Sequence, residues 1–308
     1  MIGNLSQNRI RDEAQKALAR KRLLAFTQRT KPAYTVGRLH WFIANVLELV
    51  EAGLLDRVAL EMPPRHGKSE LASVRFPAWY LGRHPDKQFV AASHTQDLAD
   101  EFSSKARDVV KGATWPFPGV RLSGNAFAVR RWTVEQQQSD TLWTNTGGTY
   151  TPVGVGAGLT GRGADILSID DPVKDWVQAD SELIRENHWY WYQSVAATRL
   201  MPGAAVIMTL TRWHDDDMLG RALKMAETVA DADQWFEVRL PALSGDHQVF
   251  ASCQVPEKVA RHAGITADEM WDMEKIVARL WACVKGDTDR ATVEAERSAA
   301  YKRPRSRP

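Results

Sequence analysis

The chain has 308 residues, 44% hydrophobic and 25% charged, enough to bury a core in one large domain or a domain with an appendage. The N-terminus lacks an apolar signal core and no uncharged apolar run approaches bilayer length, which argues against secretion and a membrane span. The net charge of +2 hides nine Lys or Arg against two Asp or Glu over residues 1–40, and the tail YKRPRSRP is basic again. Basic ends of this kind contact phosphate backbones or form solvated helix faces, so both readings stand. Cys253 and Cys283 make neither a metal spacing nor a disulfide framework, which fits a reducing cytoplasm.

Residues 1–34 read as a basic helical segment. RVALEM (57–62) is an apolar strand that runs into PPRHGKSE. That stretch carries the end of the phosphate-binding pattern G-x-x-x-x-G-K-[ST], but Met62 stands where the first glycine belongs, and Pro63 and Pro64 follow it. Such a loop needs inward amides at a helix N-terminus, a lysine for the β and γ oxygens, and a hydroxyl for Mg²⁺. Gly67, Lys68 and Ser69 supply these at the start of a helix in ELASVRFPAWYLG, and the prolines stiffen the approach before the amides that matter. The nucleotide-binding set is Arg65, His66, Gly67, Lys68, Ser69 and Glu70, with ATP as the nucleotide. The alternative is a strand–turn–helix with a chance GKS.

KQFVAAS (87–93) is a second strand, with Ser93 placed to cap a helix whose stripe is Leu98, Phe102, Ala106 and Val109. Around Gly147-Gly148, TLWTNTGGTYTPVGVG reads as a β-hairpin. GAGLTG (156–161) matches G-x-G-x-x-G but precedes a strand, so it is no dinucleotide fingerprint. Arg162, in the same glycine-rich loop, is either an arginine finger for the γ-phosphate or a plain surface residue. ADILSIDD (164–171) is a buried strand whose end either delivers Asp170 to Mg²⁺ and Asp171 to the attacking water or forms a plain Asp-Asp-Pro turn. Aspartate is one methylene shorter than the glutamate usual at that second position, about 1.5 Å of reach.

GAAVIMTLT (203–211) is another buried strand, and strand–helix–strand rhythm throughout predicts a three-layer α/β domain with a mainly parallel sheet. The acids of WHDDDMLGR, Asp215, Asp216 and Asp217, read as the first turn of a helix rather than as a metal site. Beyond residue 245 the one clear element is a helix with a Thr266/Glu269 capping box and a stripe of Met273, Val277, Leu280 and Val284, ended by Gly286.

Together PPRHGKSE, AASHTQDLADEFS, GLTGRGADILSIDDPVKD and TLTRWHDDDMLGR resemble the ATPase domain of a tailed-phage terminase large subunit, over roughly residues 35–243. The resemblance implies an additional-strand P-loop NTPase fold and a DNA-packaging motor in the host cytoplasm. It implies double-stranded DNA, a portal protein, a small terminase subunit and a homo-oligomeric ring as partners, with no membrane. By position it makes Lys68 and Ser69 phosphate and Mg²⁺ ligands, Asp170 the metal-side acid and Asp171 the catalytic carboxylate. It makes Arg65 and Arg162 arginine-finger candidates, and Thr211, Arg212, Trp213 and His214 the motif that couples hydrolysis to movement. The expected layout is a basic segment at 1–34, a motor domain at 35–245 and a partly helical extension at 246–308. That extension is too short for the family's nuclease domain, so no nuclease activity is expected of this chain. The rival readings are a remnant that binds nucleotide or portal without turnover, and a stand-alone P-loop translocase or helicase.

Overall fold

The computed structural model describes residues 2–124, 131–159, 161, 163–240, 252–266, 269 and 272–284. In chain order, α1 (Ile2–Lys21), α2 (Leu23–Thr30) and α3 (Arg38–Glu51) lead into β1 (Arg57–Glu61). A π-helical turn (Glu70–Arg75) runs into α4 (Phe76–Arg83), then β2 (Gln88–Ser93), α5 (Gln96–Lys111), β3 (Val120–Leu122), β4 (Trp132–Gln137), β5 (Trp143–Thr144), β6 (Thr149–Gly154) and β7 (Ala164–Asp170). Two helices, α6 (Trp176–Asp180) and α7 (Glu182–Trp191), precede β8 (Leu200–Leu210) and α8 (Met218–Thr228). The chain continues through β9 (Phe236–Arg239), β10 (Ser252–Gln254), α9 (Glu257–Ala263) and α10 (Met273–Cys283). No helix among the described residues is long and apolar enough to cross a membrane.

All these strands join one sheet, in the order β10-β9-β1-β8-β7-β2-β6-β4-β3, with β5 paired to β4. From β9 to β6 every pairing is parallel, and β10 and β4 add antiparallel margins. The strand β8 lies between β1 and β7, so the strand feeding the phosphate loop and the strand ending in Asp170 are separated by one. This is the additional-strand arrangement. Its register sets Glu61 opposite Leu210, Thr209 opposite Asp170, and Asp170 opposite Ser93, which brings four strand ends to one level. The carboxyl ends of parallel strands are where open α/β sheets bind ligands.

Two apolar layers sandwich the sheet. On one side Phe89, Tyr150 and Trp132 stack across β2, β6 and β4, with centroid spacings of 5.7 and 5.2 Å. The basic N-terminal segment is part of this layer, because Leu23, Leu24 and Phe26 of α2 are buried in it. Arg22 breaks the helical run and has no side-chain oxygen to cap α2. Glu48 of α3 does so instead, accepting the Leu23 amide at 2.6 Å and Arg22 Nε at 2.9 Å. Asn45 Oδ1 then accepts from Arg22 at 3.0 Å and from Trp281 of α10 at 2.8 Å. Three of the N-terminal cations are thereby committed to the fold: Arg22 to Glu48, Arg20 to the Pro116 carbonyl and Arg29 to the Thr114 carbonyl.

Several expectations are corrected. Gly147-Gly148 does not turn a hairpin: β6 pairs parallel with β2, and the hairpin is β4–β5. Gly148 is required by a close approach, since a Cβ there would lie 2.1 Å from the Pro85 carbonyl oxygen. The cap of α5 is Thr95, not Ser93, and its buried face is Ala99, Ser103, Ala106 and Val110 with Val109, which leaves Leu98 and Phe102 on the flank. Asp272 caps α10, so the helix begins later than the Thr266/Glu269 box implies, although Glu269 does accept the Thr266 amide at 3.3 Å. Gly286 lies outside the described residues.

Candidate active site at the strand ends

The loop after β1 folds over the strand ends with two left-handed residues, Arg65 (φ 65°) and Gly67 (φ 76°). Gly67 is the one that must stay small, because a Cβ would stand 3.1 Å from His40 Nε2 and 3.3 Å from the Tyr34 hydroxyl. His40 braces the loop by hydrogen bonding with the His66 carbonyl at 3.1 Å, and the ring of Tyr34 meets it edge-on. Arg65 is exposed at the loop's tip.

Lys68 is almost fully buried and donates to Asp171 Oδ1 at 2.6 Å and to Thr211 Oγ1 at 2.7 Å. The Thr211 amide donates to the same Oδ1 at 2.7 Å, so three segments converge on one oxygen. Asp171 holds this position in left-handed backbone, φ 43°, a conformation that costs an aspartate free energy and that its surroundings must enforce. Beside it Asp170 is buried, and its Oδ2 accepts from Ser73 Oγ at 2.6 Å. Its Oδ1 is also buried, with no hydrogen-bond partner. Burial first, then the Asp171 charge, pushes the Asp170 carboxyl up to about 6, while the hydroxyls of Ser73 and Ser69 and the Lys68 ammonium pull the other way. An unpartnered carboxylate oxygen beside a serine hydroxyl fits a divalent cation, which would satisfy the oxygen and favour the ionised acid.

Ser69, Asp170, Asp171 and Thr211 line a cavity of about 250 Å³ together with Pro64, His94, Leu98, Phe102, Lys174 and Trp213. Of the predicted site residues, Ser69, Asp170, Asp171, Thr211 and Trp213 line it. Others point elsewhere. The Glu70 carboxylate pairs with Lys31 and Arg75, each at 2.7 Å, on the α2 side of the π turn. His214 accepts the Asp216 amide at Nδ1 and so shapes the turn before α8. Arg162 lies outside the described residues.

Arg212 turns away from the cavity into an ion cluster. Its Nε donates to Asp217 Oδ2 at 2.6 Å and its Nη1 to Glu61 Oε1 at 3.1 Å. Asp217 is the N-cap of α8, accepting the Gly220 amide at 2.9 Å, while Asp216 pairs with Arg221 and Arg185. The first-turn reading is corrected: α8 starts at Met218, so the three aspartates precede its first turn, Asp217 as the cap and Asp216 as the partner of Arg221 and Arg185. Glu61 also accepts from Arg239, and burial and a hydrogen bond with Glu61 push Glu237 up to about 7. Sequence reasoning missed Ser73, His94, Tyr34, His40 and Glu61. Only Glu61, next to the loop, carries a sequence signal, as an acid ending an otherwise apolar strand.

The family model described as "Terminase large subunit, T4likevirus-type, N-terminal" matches residues 60–285. The chain belongs to this family. Among solved structures, the large terminase of bacteriophage HK97 is similar at 13% identity and a TM-score of 0.45, over 84% of this chain and 55% of that one. An arginine-to-alanine variant of the large terminase ATPase domain of Thermus phage P74-26 matches at 20% identity and a TM-score of 0.33, over 51% of this chain and 60% of that one. The unsubstituted P74-26 domain matches at 19% and 0.35, over 51% and 59%. The chain therefore covers between 55% and 60% of the lengths of these solved chains, two of which are ATPase domains. No curated protein matches it. Family membership rests on the sequence match over residues 60–285.

Proposed function

We propose that the chain is an ATP-hydrolysing motor that drives viral double-stranded DNA into a capsid, with residues 35–245 as the motor domain. One observation carries the reading: Lys68, from the loop after β1, meets Asp171 at 2.6 Å beside a buried Asp170 with an unpartnered oxygen. A phosphate-loop lysine and two acids from the next strand but one are the groups that in-line attack on a γ-phosphate requires.

The loop amides over residues 65–70 cradle the phosphates at the start of the π turn. Lys68 transfers from Asp171 to the β and γ oxygens, and its release frees Asp171 to orient water. Ser69 and Asp170 would hold Mg²⁺, which when bound supplies neutralising charge at the phosphates. Arg65 and Arg162 are the candidates for the arginine that steadies the transition state. Thr211 bonds both Lys68 and Asp171, and is followed by Arg212 in the ion cluster, so loss of the γ-phosphate is felt at once by β8, β9 and α8. Family membership supports the partners proposed here: a ring of such subunits, a portal protein, a small terminase subunit and DNA, in the host cytoplasm.

The test is ATP turnover by the full chain with Mg²⁺, with and without double-stranded DNA. Lys68→Ala is expected to abolish turnover, and Asp171→Asn to bind ATP without hydrolysing it. Turnover that survives Lys68→Ala would sink the site.

A further inference from the structure

Asp171 is encumbered as the sole group to activate water. It is short by a methylene, held in left-handed backbone, and its Oδ1 accepts from the Thr211 amide, a bond that does not depend on Lys68. A second polar group faces the same space. His94 is the first residue beyond β2, and the parallel register puts its neighbour Ser93 opposite Asp170. Its Nδ1 lies 3.2 Å from the Asp171 carbonyl oxygen. A carbonyl oxygen only accepts, so Nδ1 carries the proton in that bond and Nε2 of the neutral ring keeps its lone pair. His94 lines the cavity with Ser69, Asp170 and Asp171, and Leu98, Phe102 and Trp213 give that cavity an apolar wall that limits bulk water.

We propose, on the basis of the ATPase reading above, that His94 is a catalytic residue whose Nε2 holds the attacking water and takes a proton from it. The water oxygen bonds to the γ-phosphorus as the bond from that phosphorus to the β–γ bridging oxygen breaks, and the electron pair leaves with ADP. One water proton passes to Nε2 and from there to solvent, while the other stays on the phosphate. ATP and water become ADP, inorganic phosphate and a proton. The Asp171 carbonyl orients the ring, so the two residues share the work that one longer acid would do.

The experiment measures steady-state turnover of the full chain with Mg²⁺ and double-stranded DNA, alongside binding of a fluorescent ATP analogue. It compares the wild type with Lys68→Ala, His94→Ala, His94→Gln, Asp171→Glu and the double variant His94→Ala/Asp171→Glu. His94→Ala is expected to lower kcat by about 100-fold or more with nucleotide affinity unchanged, the usual size of a general-base contribution. His94→Gln keeps a hydrogen-bonding side chain but cannot take the proton, and is expected to fold as the wild type and still lose at least about tenfold. The double variant should recover at least about tenfold over His94→Ala, because a glutamate gains the missing methylene and reaches the water. Turnover of His94→Gln near the wild-type value, or a double variant no faster than His94→Ala, overturns the assignment and leaves His94 as a brace for the Asp171 turn. Lys68-dependent turnover in the wild type keeps the ATPase reading whatever the His94 variants do. Its absence overturns both.

Discussion

Burial and the Asp171 charge hold the Asp170 carboxyl at about 6, against an unfolded value of 3.8, so the folded chain binds this proton more tightly than the unfolded one. The sign follows from linkage: the contribution is present in full at low pH and is lost as pH rises from about 4 through about 6, on the order of 2–3 kcal/mol. Asp170→Asn is therefore expected to raise the urea midpoint of the metal-free chain at neutral pH and to flatten its pH dependence in that window. The same variant should lose Mg²⁺-dependent nucleotide binding. In the native chain that binding strengthens as pH rises through about 6, since the cation competes with the proton. Arg212 faces the opposite condition. Its removal takes from Asp217, 7% exposed, the guanidinium that neutralises it and leaves Glu61 with Arg239, so Arg212→Ala should cost about 3 kcal/mol, read by chemical denaturation. Arg212→Lys should recover only part, because a single ammonium lacks the planar, spaced Nε and Nη1 donors that reach Asp217 and Glu61 separately.

At the scale of single elements, the strands that end in the site were legible because they are buried on both faces and read as continuous apolar runs. RVALEM, KQFVAAS, ADILSIDD and GAAVIMTLT all match strands to within a few residues. The loop residues between them were legible through a spacing pattern, and so were Lys68, Ser69, Asp170 and Asp171. Ser73, His94 and His40 were not, because each acts through a partner more than twenty residues away and no local pattern marks it. Gly147-Gly148 misled for a related reason: a glycine pair signals a hairpin turn and a close crossing equally, and here Gly148 passes under Pro85. Gly148→Ala should therefore destabilise strongly, and proteolysis of the 140–150 region should reveal it. Trp132 tests the aromatic stack. It is fully buried and donates to the Ser103 carbonyl at 3.2 Å, so Trp132→Ala is expected to cost about 3–5 kcal/mol in equilibrium unfolding.

For the whole molecule, alternation of strands and helices gave the α/β class, whereas the two sheet margins lay beyond sequence reasoning. The strand β9 has four residues and β10 three, too short for a periodic signal, and β10 joins only through a partner strand. The segment after residue 245 accordingly looks like an extension in sequence, but its described residues, between 252 and 284, pack into the main core. Cys253, Val255, Ile276, Val277 and Leu280 belong to the same apolar layer as α2 and α3, and Trp281 bonds Asn45. Truncation after residue 245 should lower the melting temperature by several degrees and expose apolar surface to a hydrophobic dye, since each such side chain contributes about 1.5–3 kcal/mol by burial.

The π turn at Glu70–Arg75 holds one residue more per turn than an α-helix would, and that surplus gives the site a length rule. The turn has already taken up its extra residue, so inserting a further alanine after Ala72 would turn Ser73 by about 100° relative to the loop. The hydroxyl that fixes Asp170 would then point away, with no charged or catalytic residue altered. Changes of composition here are tolerable wherever volume is kept, while a lengthening by a single codon is not.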